Sequence, residues 1–293
     1  MALQVEKQRQ INISRVRREA YFEMKTEHFH SFYEFYYLLN GKRKIFVNNR
    51  VYHVREGDMV LIPKGEIHRT TYNSKDVHER IALCFTQDSI HHLLEDIGSD
   101  TFMKCFEHKH LTIPPNRRGY LESLFDRLLH EQENEDELSQ ALCTRYCEEI
   151  ILFIIRCQNY VQPEIPEELE DKDIEAAAVY ISHHYKENIT LNKMAKLSCM
   201  SDSYFSRRFK TVTGFGFKEY LNAVRIRHAC DLLLSTDKSI TQIASDCGYM
   251  DSNYFGDAFH KIKHVSPSQY RKTHLLYCKK YCKRLHFPVA FSD

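Results

Sequence analysis

Short alternating runs of apolar and polar residues fill the chain from about residue 20 to 85. Tyr, Phe, Val and Ile are interrupted there at Asn40-Gly41, Asn48-Asn49, Glu56-Gly57 and Pro63-Lys64-Gly65. Strands carry a two-residue period, and turns need residues that accept unusual backbone angles, so this spacing predicts an all-β barrel or sandwich. Beyond it the period lengthens. Thr86 to Ile97 predicts a short helix, and after Pro114-Pro115 a second helix keeps Leu121, Leu124, Phe125, Leu128 and Leu129 on one face. A third runs from about Glu137 to Asn159. Its apolar run Ile150 to Ile155 is too short to span a bilayer and is expected to pack against another helix, a dimer contact being one use. The stretch ahead of the barrel, with Arg15, Arg17 and Arg18, reads as a leader.

The segment Pro163 to Asp173 holds Pro163, Pro166 and six acidic residues, which mark a linker. Everything after it is helical by pattern. The chain is therefore expected to be a two-domain α+β protein. A β-barrel domain occupies 1–113, a helical dimerisation segment 114–162, the linker 163–173, an all-α domain 174–273 and a tail 274–293. Charge follows the same division: residues 171–293 hold 19 Lys/Arg against 12 Asp/Glu, a net of +7, while the preceding part is net −6. Only the C-terminal part is suited to a polyanion.

An internal repeat lies in that basic half. Tyr204, Phe205, Phe209 and Tyr220 recur 50 residues later as Tyr254, Phe255, Phe259 and Tyr270, whereas Ala195 recurs after 49 as Ala244, one residue being inserted in the turn. Each copy places a small Ala on a short helix, then a polar turn, then a helix with buried aromatics and polar outer positions. This is the grammar of a helix-turn-helix, in which Ala allows a close helix crossing and the second helix faces a DNA groove. The string SITQIASDCGYMDSNYFGDAFHKIKHVSPSQYRK resembles the signature of the AraC (AraC/XylS) family of bacterial regulators, and the preceding stretch from Asn188 to Ser235, beginning NITLNKMAKL and ending RHACDLLLS, resembles the first unit plus connector. The resemblance covers about residues 171–273. It implies two helix-turn-helix units joined by a long helix, roughly Phe217 to Ser235.

In the first unit Ser201 suits an N-cap, and Asp202, Ser203, Ser206, Arg207 and Lys210 fall on the outer face of the following helix. Arg207 is the best base reader because a guanidinium can pair twice with guanine, while Ser203 and Ser206 suit bases or phosphates and Lys210 the backbone. The equivalent second-unit positions are Ser252, Asn253, Gly256, Asp257 and His260. Two of this unit's residues depart from the family pattern. Asp257 stands opposite Arg207 in the repeat, and His264 replaces a Gly expected at a left-handed cap. Both weaken the second unit as a DNA binder.

In the barrel, His28-x-His30-x-x-x-Glu34, Gly41, Gly57, Pro63, Gly65 and His68 resemble the two motifs of cupin barrels. In metal-binding cupins the equivalents of His28, His30, Glu34 and His68 ligate one ion, although Tyr72 stands where Asn is usual. Positions 28, 30 and 34 share one face of an extended strand, and three His with one carboxylate suit a divalent transition metal. Three readings stay open: such a metal, purely structural histidines, and a metal-free effector pocket. In the last, His28, His30, Glu34, Tyr36 and His68 would hydrogen-bond sugar-like hydroxyls, with Phe32, Tyr36 or Tyr52 packing beside them.

Function is read as sequence-specific DNA binding by a transcriptional regulator, an activator, responding to a small and sugar-like effector. The resemblance also implies RNA polymerase as a partner, a homodimer, and an N-terminal arm that closes over ligand. No catalytic residue is assigned and no enzyme activity expected; the alternative class is a metal-dependent cupin enzyme fused to a DNA-binding domain. The absence of a secretory signal places the ten cysteines in the cytoplasm as mostly free thiols, with Cys143, Cys147 and Cys157 as small core residues. No apolar run approaches a membrane span. In the tail, His274, Cys278, Cys282 and His286 recur every four residues, a spacing read as an amphipathic helix rather than a zinc site.

Overall fold

The computed structural model describes residues 10–18, 29–71, 77–158 and 171–273. They form two compact units, the first running to Glu175 and including Thr211–Gly214, the second comprising the remainder.

The first unit is built on eight antiparallel strands: β1 (Ile11–Arg18), β2 (Tyr33–Asn40), β3 (Lys42–Val47), β4 (Arg50–Arg55), β5 (Asp58–Ile62), β6 (His68–Thr71), β7 (His78–Phe85) and β8 (His110–Thr112). They make a five-stranded sheet of order β1-β7-β2-β5-β8 and a three-stranded sheet of order β4-β3-β6. The turns fall where the sequence placed them. Gly41, between β2 and β3, has φ +94, and a Cβ there would come within 2.9 Å of the Val77 carbonyl, so both angle and space require glycine.

Strand alternation separates two cores. Tyr36, Leu38, Ile45, Val47, Tyr52, Val54, Val60 and Ile62 fill the cupin-like interior between the sheets. The opposite face of the larger sheet, with Tyr33, Phe35, Tyr37, Leu61 and Leu83, packs on helices. These helices are α1 (His91–Ile97), α2 (Ser99–Met103), α3 (Pro115–Glu133) and α4 (Ser139–Gln158). β2 therefore has apolar neighbours on both faces. Of the apolar run in α4, Ile150, Ile151 and Ile154 are buried in this intramolecular core, which leaves Leu152 exposed. The leader expected at Arg15, Arg17 and Arg18 is instead β1, paired with β7 from Ile11↔Phe85 to Arg18↔His78. The apolar alternation there is only Ile11 and Ile13, with Val16 on the opposite face, too brief to stand out among charges.

The second unit is helical: α5 (Lys172–His184), whose first turn belongs to the first unit, α6 (Leu191–Leu197), α7 (Asp202–Thr213), α8 (Phe217–Ser235), α9 (Ile240–Asp246) and α10 (Ser252–Lys263), followed by a helical stretch at residues 267–273. α8 is the long connector, 19 residues or about 28 Å. Its buried Arg225 donates from Nε to the Tyr185 carbonyl (2.8 Å) and from Nη2 to the Glu187 carbonyl (2.9 Å). Its guanidinium also lies 5.3 Å from the Tyr249 ring centroid. No helix among the described residues is long and apolar enough to cross a membrane. The cysteines there are free, with Cys147 and Cys157 buried and Cys143 half-buried. The tail cluster His274, Cys278, Cys282 and His286 lies outside the described residues, as do His28 and Tyr72.

Candidate functional site

In the barrel interior, Glu34 on β2 meets His68, the first residue of β6 on the facing sheet, and His30 from the loop before β2. His30 Nε2 lies 3.1 Å and His68 Nε2 3.5 Å from the same oxygen, Glu34 Oε2. The three ligand-capable atoms fall within 4.8 Å of one another. Each imidazole is fixed from behind: His30 Nδ1 is 2.9 Å from the Phe32 carbonyl and His68 Nδ1 is 2.9 Å from the Glu66 carbonyl. A carbonyl only accepts, so both Nδ1 atoms carry protons and both Nε2 atoms face the carboxylate.

Burial alone would raise the Glu34 carboxyl, but hydrogen bonds from His30 and His68 outweigh it and hold the group well below the usual carboxylate range. Burial alone would lower His68; Glu34 reverses this and raises it. With both Nε2 atoms unprotonated, the cluster would present two imidazole lone pairs and a carboxylate to a divalent cation.

Parity along one strand is not what assembles these groups. β2 begins at Tyr33, and His30 reaches Glu34 because its loop folds back: the Gly65 amide donates to the His30 carbonyl (2.7 Å) and Phe32 stacks on the His30 ring at 3.6 Å. Tyr36, two residues inward from Glu34, is 2% exposed, and its hydroxyl has no hydrogen-bond partner among the described residues. Burial pushes its phenol up to about 12, so the hydroxyl keeps its proton. Tyr52 lines the same interior, 6.0 Å from the His110 ring. Sequence reasoning missed further polar groups here, among them Arg43, His78 and Arg80. The usable signal was alternation: Arg43 shares its strand face with Ile45 and Val47.

In the second unit the two helix-turn-helix copies are built by the same bonds. The Met200 amide donates to the Ala195 carbonyl (2.8 Å) and the Tyr249 amide to the Ala244 carbonyl (2.9 Å). Both alanines are buried, as close helix crossing requires. The left-handed turn residue is Cys199 (φ 54) in the first copy and Gly248 (φ 82) in the second. A Cβ at Gly248 would lie 2.7 Å from the Lys186 carbonyl, which explains that glycine. The inserted turn residue is Met250, 95% exposed. Ser201 then caps α7 by accepting from the Tyr204 amide (3.3 Å), and Asp251 caps α10 by accepting from the Asn253 amide (2.7 Å).

On α7, Ser203, Arg207 and Lys210 are exposed and Ser206 is half-buried; on α10, Ser252, Asn253, Asp257 and His260 are all exposed. Phe205, Phe209, Phe255 and Phe259 anchor the opposite faces. The aromatic repeat is not buried throughout. Tyr204 and Tyr254 sit at the rim, about half exposed, because their positions fall one step off the apolar stripe. Tyr254 Oη accepts from Asn222 of α8 (3.2 Å), and Asn222 accepts from Tyr249 Oη (3.3 Å).

Comparison with known proteins matches both parts. Residues 12–149 match the AraC-like ligand binding domain and residues 194–273 match a helix-turn-helix domain. The chain belongs to the AraC family of transcriptional regulators. Among its relatives, the HTH-type transcriptional activator RhaR of Salmonella dublin is 23% identical over 250 residues, covering 84% of this chain and 86% of RhaR. An uncharacterised HTH-type transcriptional regulator of Staphylococcus aureus is 24% identical over 235 residues, 80% of this chain. The chain spans about a third (31%) of the length of that relative. The solved structure of ToxT from Vibrio cholerae O395 is 16% identical with a TM-score of 0.37, covering 89% of this chain and 97% of ToxT.

Proposed function

We propose that this AraC-family chain is a sequence-specific DNA-binding regulator whose second unit reads two successive major-groove segments through α7 and α10. The carrying observation is the duplicated turn geometry, which gives both helices an exposed polar face with Ser203, Ser206, Arg207 and Lys210 on one and Ser252, Asn253, Asp257 and His260 on the other. Selection of binding sites from random duplexes, followed by footprinting, tests it. Two protected segments about one helical turn apart support the reading, and binding that ignores sequence overturns it.

The barrel is read as the effector pocket, with His28, His30, Glu34, Tyr36 and His68 as ligands to a small hydroxylated molecule such as a sugar. Activation of transcription through RNA polymerase and a cytoplasmic setting complete the proposal. Homodimerisation is assigned to the exposed side of α3 and α4. Tyr120, half exposed, lies with its ring centroid 5.6 Å from that of Phe153, near exposed Leu152 in sequence, and a Leu152→Glu variant should sediment as a monomer. A second reading, a divalent metal held by His30, Glu34 and His68, is favoured by the carbonyl-locked Nδ1 atoms. Metal analysis of protein purified without chelator, with His68→Gln as the control, separates it from a metal-free pocket.

A further inference from the structure

The barrel interior is polar at both ends, and the two ends differ in sign. Near one end stand Glu34, His30 and His68. Four residues further along β7, about 13 Å of strand, the register brings Arg80 opposite Leu38 of β2 and His78 opposite Arg18 of β1. Leu38 belongs to the interior cluster, so Arg80, and with it His78 and Arg18 by the same alternation, projects inward. Arg43 of β3 shares a face with interior Ile45 and Val47, is 2% exposed, and donates from Nη2 to His78 Nδ1. The Arg80 guanidinium lies 5.4 Å from the Tyr36 ring centroid. Three strands thus aim three guanidiniums at one end of the barrel.

The local potential there is positive. His78 is pushed down to about 4, by burial first and then by Arg43, Arg80 and Arg18, all of which disfavour a further positive charge. Among the described residues, the carboxylates on interior positions, Glu34 and Asp58, have partners of their own. Glu34 is held by His30 and His68, while Asp58 accepts from Thr112 (2.7 Å) and the Arg55 amide (2.8 Å) and lies 3.0 Å from His110 Nε2. Between the charged ends sits the Tyr36 hydroxyl, sealed from solvent and without a hydrogen-bond partner among the described residues. A buried hydroxyl left in that state costs free energy unless something bonds it. Arg80 and Glu34 are only partly buried.

The geometry points to an anionic effector: a small hydroxylated molecule whose carboxylate or phosphate pairs with Arg80, Arg43 and Arg18, and whose hydroxyls bond Tyr36 and the Glu34–histidine cluster. Guanidinium forks match both anions in planar, charge-assisted pairs. This deepens the effector reading of the barrel and rests on it.

Calorimetric titration of the full chain with hexuronates and hexose monophosphates, each beside its neutral parent hexose, tests the assignment. At least one anion is expected to bind tenfold or more tightly than its parent, and the uronate and phosphate arms show which group is preferred. Arg80→Met should remove that preference while Arg80→Lys retains part of it; Tyr36→Phe, which preserves volume, should weaken the anion several-fold. A parent hexose that binds as well as its anion overturns the inference but spares the effector pocket, as does an undiminished preference in folded Arg80→Met. Should no member of either class bind, the pocket reading and the inference fall together.

Discussion

His264 adopts φ +59 at the position where the first helix-turn-helix copy has Gly214 at φ +80. The two close the same left-handed turn after their recognition helices, but only glycine does so without a Cβ penalty. His264→Gly should therefore stabilise the second unit by about 1 kcal/mol. Urea denaturation followed by helix content would read this as a raised midpoint. An unchanged or lowered midpoint would show the histidine side chain compensating locally.

Arg207 and Asp257 occupy equivalent exposed positions of opposite charge. Arg207→Ala is expected to lose about 1–3 kcal/mol of binding to the selected site. Asp257→Ala should change little or tighten binding, since it removes a charge that repels phosphate. Fluorescence anisotropy at two salt concentrations measures both, and equal large losses would refute the ranking.

Arg225 closes two carbonyls at the end of α5 while lying against Tyr249. Arg225→Met should cost about 3 kcal/mol, because it leaves the Tyr185 and Glu187 carbonyls without these charged donors. Thermal unfolding of the second unit is the measurement; a change within error would mean that water replaces the guanidinium freely.

His78 gives the barrel a defined acid sensitivity. The folded chain keeps this imidazole neutral down to about pH 4, whereas an unfolded histidine takes up its proton near 6.5. Between those values the unfolded state binds the extra proton, so this contribution is complete above about pH 6.5 and declines as pH falls toward 4. His78→Gln should flatten that part of the stability profile; an identical slope in the variant would place the sensitivity elsewhere.

The sequence revealed most where one constraint was written twice. Ala195 and Ala244, Phe205 and Phe255, Phe209 and Phe259 recur because each copy must solve the same packing problem, and the connector bounds at Phe217 and Ser235 agree with the structure. The barrel was less legible. Arg43 stands between two lysines and carried no expectation, yet it is buried while Lys42 and Lys44 are not, since the period of two sends them to opposite faces. Parity put Glu34 inside correctly, but His30 arrives by a loop, and loop closure depends on the tertiary bond between Gly65 and His30. The leader became β1 for a related reason: pairing with β7, not local propensity, makes it a strand.

β2 is a wall shared by two rooms. Glu34, Tyr36 and Leu38 look into the barrel, while Tyr33, Phe35 and Tyr37 look toward the helices, where Tyr37 Oη donates to Glu122 of α3 (2.7 Å). Such a strand has no compliant side: close packing on both faces means that a substitution on one is transmitted to the other within a single residue. A change of side chain at Tyr36 should therefore be felt at Tyr37, one residue along and on the opposite face, where the helical layer begins.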